Sequence, residues 1–590
     1  MQGTSLANGT EKQTDWNTIN WKKTNRTVRN LRQRIFRATQ EGNWKKVRSL
    51  QKLMLKSYSN RLTSVRRVAQ INAGKNTPGV DKLVIKTPAA RGKMVDALAH
   101  YTLWKAKPAK RVYIPKKNNK RRPLGIPVVQ DRCLQAMVKN ALEPSWEARF
   151  EGISYGFRPG RSCHDAIAKI YLLALPHRTK KWVLDADIKG AFDNISHDYL
   201  LDAIGMVPGR ELIRQWLKAG YVEQEMYHTT EQGTPQGGVI SPLLANIALH
   251  GMEDAIGVQY NCRGELIGKR AVIRYADDFL CFCETKEDAE EVQNILVEWL
   301  KQRGLTLSTE KTRIVHLTEG FNFLGFNVRH YRAPQTARSG WKLLIKPSKE
   351  SAQKIRETLK DLWRSAQGAS IQTALATMNP VIRGWAEYFR IAVAKEIFGK
   401  LDGWMFYKAT RYTKHRHPNK SKGWQQHRYW GRFNLDRRDY STFGDKQTGR
   451  YLLKFSWFPI QRHVLVKGTS SPDDPQLVDY WKKRQAAKTR DLPPSKQKLA
   501  KRQKGRCLEC FESLFNDEEL QVHHRIPQSF GGNNSYNNLV LVHLLCHQQI
   551  HAKTERAMQD CQPFNDRELA ESKAPAQQSL QDEKEELCRS

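Results

Sequence analysis

The stretch that most constrains this chain is Ile273-Arg274-Tyr275-Ala276-Asp277-Asp278-Phe279-Leu280. With Val272 it reads as two short apolar strands joined at a tip running from Tyr275 to Asp278. Two adjacent carboxylates at such a tip repel each other and are costly to take out of water, unless they are paired or hold a metal. Alone, these residues also fit an exposed Ala-Asp-Asp turn. A second stretch upstream weighs against that: Val183-Leu184-Asp185-Ala186-Asp187 is again an apolar strand ending in an aspartate, and a turn at Gly190 follows. Asp187, Asp277 and Asp278 on adjoining strand ends would form an oxygen site suited to Mg²⁺. Two such ions would activate a primer 3′-hydroxyl and stabilise a leaving pyrophosphate.

This pair resembles the palm motifs of reverse transcriptases, whose signature is Tyr-x-Asp-Asp. More of that series follows in order. Arg111 to Pro127 reads as two apolar strands flanking a basic, Asn-rich hairpin, similar to the fingers of group II intron reverse transcriptases. The resemblance makes Lys116, Lys120 and Arg122 candidates for triphosphate contact. Tyr155-Gly156-Phe157-Arg158 matches the element before the first catalytic strand; by charge alone, Arg158 and Arg161 also fit loop salt bridges. Phe192 reads as a core aromatic from its surroundings. The resemblance puts it under the sugar of the incoming dNTP, where a ring would exclude a 2′-hydroxyl by steric clash.

Gly233-Thr234-Pro235-Gln236-Gly237-Gly238 is a turn whose bare backbone lets a substrate approach, and it resembles the motif that sets Gln236 near the nucleotide sugar and base. Lys311 resembles a palm lysine that assists pyrophosphate departure. Phe321 to Phe326 matches the primer-grip turn. From residue 348 to about 460 the chain is helical, aromatic and basic, a mixture suited to structured RNA. It resembles the maturase (thumb) domain of group II intron proteins. Within it Asn379-Pro380 reads as a helix start, with Ile382, Trp385 and Phe389 on one apolar face.

A second site lies near the C-terminus. Cys507-x-x-Cys510 with His543-x-x-Cys546 has the spacing of a tetrahedral Zn²⁺ site, which would replace a core that so small a unit cannot build. Between and after these ligands stand His523, His524, Asn538, His547 and His551; the last two, four apart, share a helical face. The arrangement resembles the HNH nuclease fold. By that resemblance His524 is the general base, Asn538 orients its loop, and His523, His547 and His551 hold one divalent cation whose identity stays open. The missing His-x-Glu signature disfavours a zinc deaminase.

Charge agrees with a polyanion partner: 99 Lys and Arg against 59 Asp and Glu give +40 over 590 residues, so phosphate contacts and salt-sensitive binding are expected. No apolar run approaches the roughly 20 residues needed to span a bilayer, and the polar N-terminus lacks a signal-peptide core. Apart from those near 507–546 the ten cysteines are scattered, which suggests a reducing compartment.

The expected architecture is multidomain α+β: a disordered N-terminus (1–15), a helical extension (16–90), right-hand fingers and palm (91–330), a helical thumb (340–465), a basic linker that contacts DNA or serves as a tether (466–500), a small ββα-metal HNH domain (501–556) and a disordered tail (564–590). The implied function is that of a group II intron-encoded protein, acting on its intron RNA, target double-stranded DNA and dNTPs, without a membrane. A homodimer is left open, and the location is either the bacterial cytoplasm, near the nucleoid, or an organelle. Two rivals remain: a splicing-only maturase with decayed enzymatic parts, and a reverse transcriptase of another retroelement.

Overall fold

The computed structural model describes residues 13–115, 121–262, 264–334, 340–516 and 518–560. Lys116, Lys120 and the expected tail at 564–590 lie outside these residues, as does most of the N-terminal segment expected to be disordered. Thr14 is held in place, its backbone N–H and hydroxyl both donating to Asp96. The architecture is multidomain α+β.

The N-terminal helices form where polar caps meet amphipathic runs. Asn20 caps Trp21–Gln40 by accepting from the Lys23 N–H. Gly42, at φ +67°, ends that helix, and Asn43 caps Trp44–Lys56. Together with Tyr58–Arg66 these helices lie against Val129–Glu147, which is buried along almost its whole length.

The palm sheet is antiparallel, in the order Arg313–His316, Trp182–Asp187, Asp278–Cys283, Ala271–Tyr275. Alternate side chains leave opposite faces of a strand. Here Leu184, Ala186, Phe279 and Cys281 join a core made with the N-terminal helices. Val183, Ile273, Leu280 and Phe282 join a second core with Phe321, Phe326 and the thumb helices. A separate sheet of Ala109–Pro115, Arg121–Ile126, Tyr221–Glu223 and Met226–His228 forms the fingers.

Two segments depart from expectation. Asn379 and Pro380 do not start a helix; they lie inside Ile371–Phe389, which begins at the Ser370 cap. Proline removes one rung of the hydrogen-bond ladder, and burial of Ile382, Ala386 and Phe389 holds the helix together across the gap. The Asn379 amide instead pins a neighbouring loop, donating to the Tyr451 carbonyl (2.9 Å) and accepting from the Leu453 N–H (2.9 Å).

Residues 466–500, basic enough to read as a tether, are folded and docked. Helix Val478–Ala487 buries Trp481, whose ring meets Gly160 so closely that a Cβ there would lie 2.6 Å from it. Asp473 pairs with Arg32 at 2.7 Å, and Arg161 donates to the Gly468 carbonyl at 2.6 Å. Helix Pro494–Arg502 runs across the expected limit at 501 and packs on strand Leu539–His543. That strand pairs with Leu520–His524, and helix Leu544–Asp560 completes the small C-terminal unit. Among the described residues no helix is long and apolar enough to cross a membrane.

Arg158 and Glu147 form a bidentate pair at 3.0 Å with side chains 1% exposed on both sides. Removing one partner of such a pair strands the other charge. Arg158→Met is therefore expected to destabilise the polymerase by about 3–5 kcal/mol, read as a lower urea midpoint, with Glu147→Leu added in the same chain restoring part of the loss.

Candidate functional site

The palm sheet packs apolar cores on both faces and carries three acidic groups at its strand ends. Asp187 closes one strand and Asp278 opens the next, directly opposite in register. Ala276 and Asp277 make the two-residue tip between Tyr275 and Asp278. Ala276 takes a left-handed φ of +58°, which costs an L-residue energy and persists only where surroundings impose it.

Those surroundings are specific. The segment around Ser154 runs alongside the strand, its neighbour Tyr155 donating to the Arg274 carbonyl at 2.9 Å. Gly156 touches the tip so closely that a Cβ would stand 2.4 Å from the Ala276 nitrogen. The fully buried Arg274 donates to Asn246 (3.0 Å), which donates to the Gly156 carbonyl (2.9 Å). Asn246, Arg274 and Phe157 were not picked out as site-forming in the sequence. An arginine inside an apolar strand was the available signal for the first two; Phe157 was read only as part of the element from Tyr155 to Arg158.

The acidic groups feel one another. The Asp278 carboxyl is pushed up to about 8, by burial first, then by its hydrogen bond with Asp187 and the charge of Asp277. Burial also raises Asp277, and Asp187 adds to it. Such groups accept a cation in place of a proton. The Lys311 ammonium sits on Asp187, delivered by a turn in which the Ser308 N–H donates to the Asp187 carbonyl at 2.8 Å. Arg122, exposed on the fingers, lies within electrostatic reach of Asp277 and draws its pKa down.

Gly190, at φ +55°, turns the chain into the short helix Ala191–Asn194 that carries Phe192. Its ring stands edge-on to Phe157 at 6.1 Å, and Phe157 is half exposed. The glycine loop braces this turn, the Thr234 N–H donating to the Phe192 carbonyl at 2.6 Å. The same loop reaches the fingers, where the Gln236 carbonyl accepts from the Gly125 N–H at 2.8 Å. The structure thus brings Asp187, Asp277, Asp278, Lys311, Arg122, Phe192 and Gln236 to one end of one sheet.

The C-terminal unit holds two clusters whose ligand atoms lie within 4.8 Å of one another: Cys507, Cys510, His543 and Cys546, all buried, and His523, His547 and His551, more open. The three aspartates are gathered less tightly than either. In the tetrad His543 offers Nδ1 to the sulfurs while Nε2 donates to the Ser513 carbonyl at 3.1 Å, the outer bond that fixes a ligating tautomer. In the trio, burial and the neighbouring imidazoles lower the pKa of His523, and burial followed by His551 lowers that of His547. A lowered pKa favours the neutral ring that a ligand must present. The donor sets fit a thiolate-bound Zn²⁺ and an imidazole-bound divalent ion respectively.

His524 stands beside the trio. Its Nε2 meets Asn534 Oδ1 at 2.8 Å, an oxygen that also accepts from Gln528. The ring therefore donates from Nε2 and keeps its lone pair on Nδ1. Asn538 ties the loop between the strands, accepting from the Ile526 N–H and donating to the Ile526 and Asn533 carbonyls at 2.8–2.9 Å.

Four stretches of the chain match known families. Residues 16–98 match the N-terminal domain of reverse transcriptase, and 114–328 the reverse transcriptase (RNA-dependent DNA polymerase) family. Residues 352–430 match the group II intron maturase-specific domain, and 507–553 the HNH endonuclease family. Protein YkfC of Escherichia coli is 34% identical over 316 residues, covering 46% of this chain and 81% of that protein. The group II intron-encoded protein LtrA of Lactococcus lactis is 33% identical over 309 residues, 42% of this chain and 51% of LtrA, so the chain spans about half of LtrA's length. Maturase-like protein 1 of Euglena gracilis is 26% identical over 375 residues, 63% of this chain and 76% of that protein.

Gly156→Ala tests the support of the acidic tip. The added methyl must displace the Ala276 backbone, and a shift of about 1 Å at a reacting centre costs on the order of 100-fold in rate. Primer extension on an RNA template should fall by about that factor while RNA affinity is retained; undiminished extension would show that the tip tolerates the movement.

Proposed function

The chain belongs to the group II intron-encoded reverse transcriptase–maturase family with an HNH endonuclease domain, and from that premise we propose that it copies its intron RNA into DNA at a target site which it nicks itself. Polymerisation falls to residues 91–330, intron-RNA binding and splicing assistance to 340–465, and nicking to 501–556. The observation that carries the reading is the register pair Asp187–Asp278 with Asp277 beside it, facing Lys311 and Arg122.

In this reading Asp187, Asp277 and Asp278 hold two Mg²⁺ ions. Bound there, the ions would lower the pKa of the primer 3′-hydroxyl and take up charge on the departing pyrophosphate. Lys311 moves from Asp187 to that pyrophosphate. Arg122, with Lys116 and Lys120, grips the triphosphate. Phe192 lies under the sugar and excludes ribonucleotides, and Gln236 borders the sugar and base. Phe157, edge-on to Phe192, keeps that ring upright.

In the nuclease, His523, His547 and His551 hold one divalent cation, which would stabilise the departing 3′-oxygen. His524 takes a proton from the attacking water on Nδ1, and Asn538 keeps the loop that carries it in register. The Cys507, Cys510, His543 and Cys546 set holds structural Zn²⁺. The freed DNA 3′-hydroxyl then primes synthesis on intron RNA. Segment 466–500 contacts the target DNA. The relatives' bacterial and organellar origins favour the same settings for this chain.

Two substitutions separate the activities. Asp277→Asn should cut cDNA synthesis by roughly 10²–10³-fold or more and leave intron-RNA binding in place, measured by primer extension beside filter binding. Wild-type extension in that variant would sink the assignment. His524→Ala should lose second-strand nicking by about 10²–10⁴-fold yet extend a supplied primer; an undiminished nick would move the base to another group.

A further inference from the structure

One buried cation takes no part in either chemistry. Arg66 ends helix Tyr58–Arg66 of the N-terminal extension, and its side chain is 7% exposed. It reaches out of the polymerase into the nuclease. Its Nη2 stands 3.3 Å from Cys546 Sγ and 3.7 Å from Glu518 Oε2, and its guanidinium lies 4.4 Å over the Trp21 ring.

Charge explains why a guanidinium belongs there. Three thiolates around one Zn²⁺ leave a surplus negative charge, and a buried charge persists when it is paired and hydrogen-bonded. Arg66 supplies the opposite charge and donates to a ligand sulfur, as outer partners of metal ligands do. The contact is not isolated. Gln549 donates to the Ile19 carbonyl at 3.0 Å, Arg29 pairs with Glu512, and the Lys22 ammonium lies 3.8 Å over the Phe511 ring. Trp16, Ile19 and Trp21 share one apolar cluster with Cys507, Cys510, Leu514 and Cys546.

We propose that the Cys/His tetrad is a docking clasp: with metal bound, Arg66 completes its outer shell and holds the nuclease on the N-terminal helices of the polymerase, and metal loss releases it. This rests on the reading of the tetrad as a zinc site. Without the metal the sulfurs are no longer held against the guanidinium, and Arg66 is left buried beside Glu518 alone. Arg66 is thus a positioning residue, fixing where the nuclease sits relative to the polymerase cleft.

The test uses the full chain. Zinc content is measured, zinc is stripped with 1,10-phenanthroline, and hydrogen exchange is followed over residues 16–71 before and after stripping and after zinc is restored. The clasp requires exchange in that segment, which holds no zinc ligand, to rise on stripping and to recover on restoration. In a second arm, Arg66→Met should weaken zinc retention by about 10–100-fold, with Arg66→Lys recovering part of it. The wild-type arm stands even where Arg66→Met folds poorly. Zinc that is present and removable with no change over 16–71 would overturn the clasp while leaving the zinc site standing. A purified chain that carries no zinc and takes none up would overturn the zinc reading itself.

Discussion

The feature on which everything else depends is a four-stranded sheet buried on both faces. Leu184 and Phe279 are sealed by the N-terminal helices, Val183 and Leu280 by the thumb. Such a sheet leaves little solvated surface: Asp185, paired with Arg313 at 3.0 Å, is partly exposed along it, and three further carboxylates gather at the strand ends. There the three sit partly out of water, with burial and neighbouring charge raising the proton affinity of Asp277 and Asp278, and with Lys311 and Arg122 as counter-charges. The same burial that makes the aspartates costly makes them effective, because a site of low dielectric strengthens whatever cation they take.

What could be read from the chain follows the range of the interactions. The Asp-Asp tip and the cysteine spacings are local patterns, each fixed by a few neighbouring residues. The helix break at Gly42 and Asn43 is equally local. The braces of the site are of another kind. Arg274 reaches Asn246, and Asn246 reaches Gly156; each link joins residues far apart in the chain, and no periodicity encodes them. Phe157 was read only as part of a motif; its place against Phe192, at 6.1 Å and with a backbone φ of +60°, joins residues distant in the chain.

The two departures share one cause. Asn379-Pro380 has the composition of a helix start, yet tertiary burial of Ile382 and Phe389 outweighs one missing hydrogen bond. Segment 466–500 has the composition of a tether, yet Trp481 and Leu499 find apolar cover on the palm and on the nuclease. In both, local preference yields to surface taken out of water, which a residue count along the chain cannot register.

The shared apolar cluster of the first helices and the last domain also bears on handling the protein in pieces. A polymerase shortened before residue 494 would lay bare the side of Trp16, Ile19 and Trp21 now covered by the C-terminal unit, together with a guanidinium fitted to a sulfur that has gone. An uncovered greasy face of that kind seeks another surface, so a truncated enzyme would tend to self-associate and precipitate. Its loss of activity would then report poor solubility rather than any contribution of the nuclease to copying RNA.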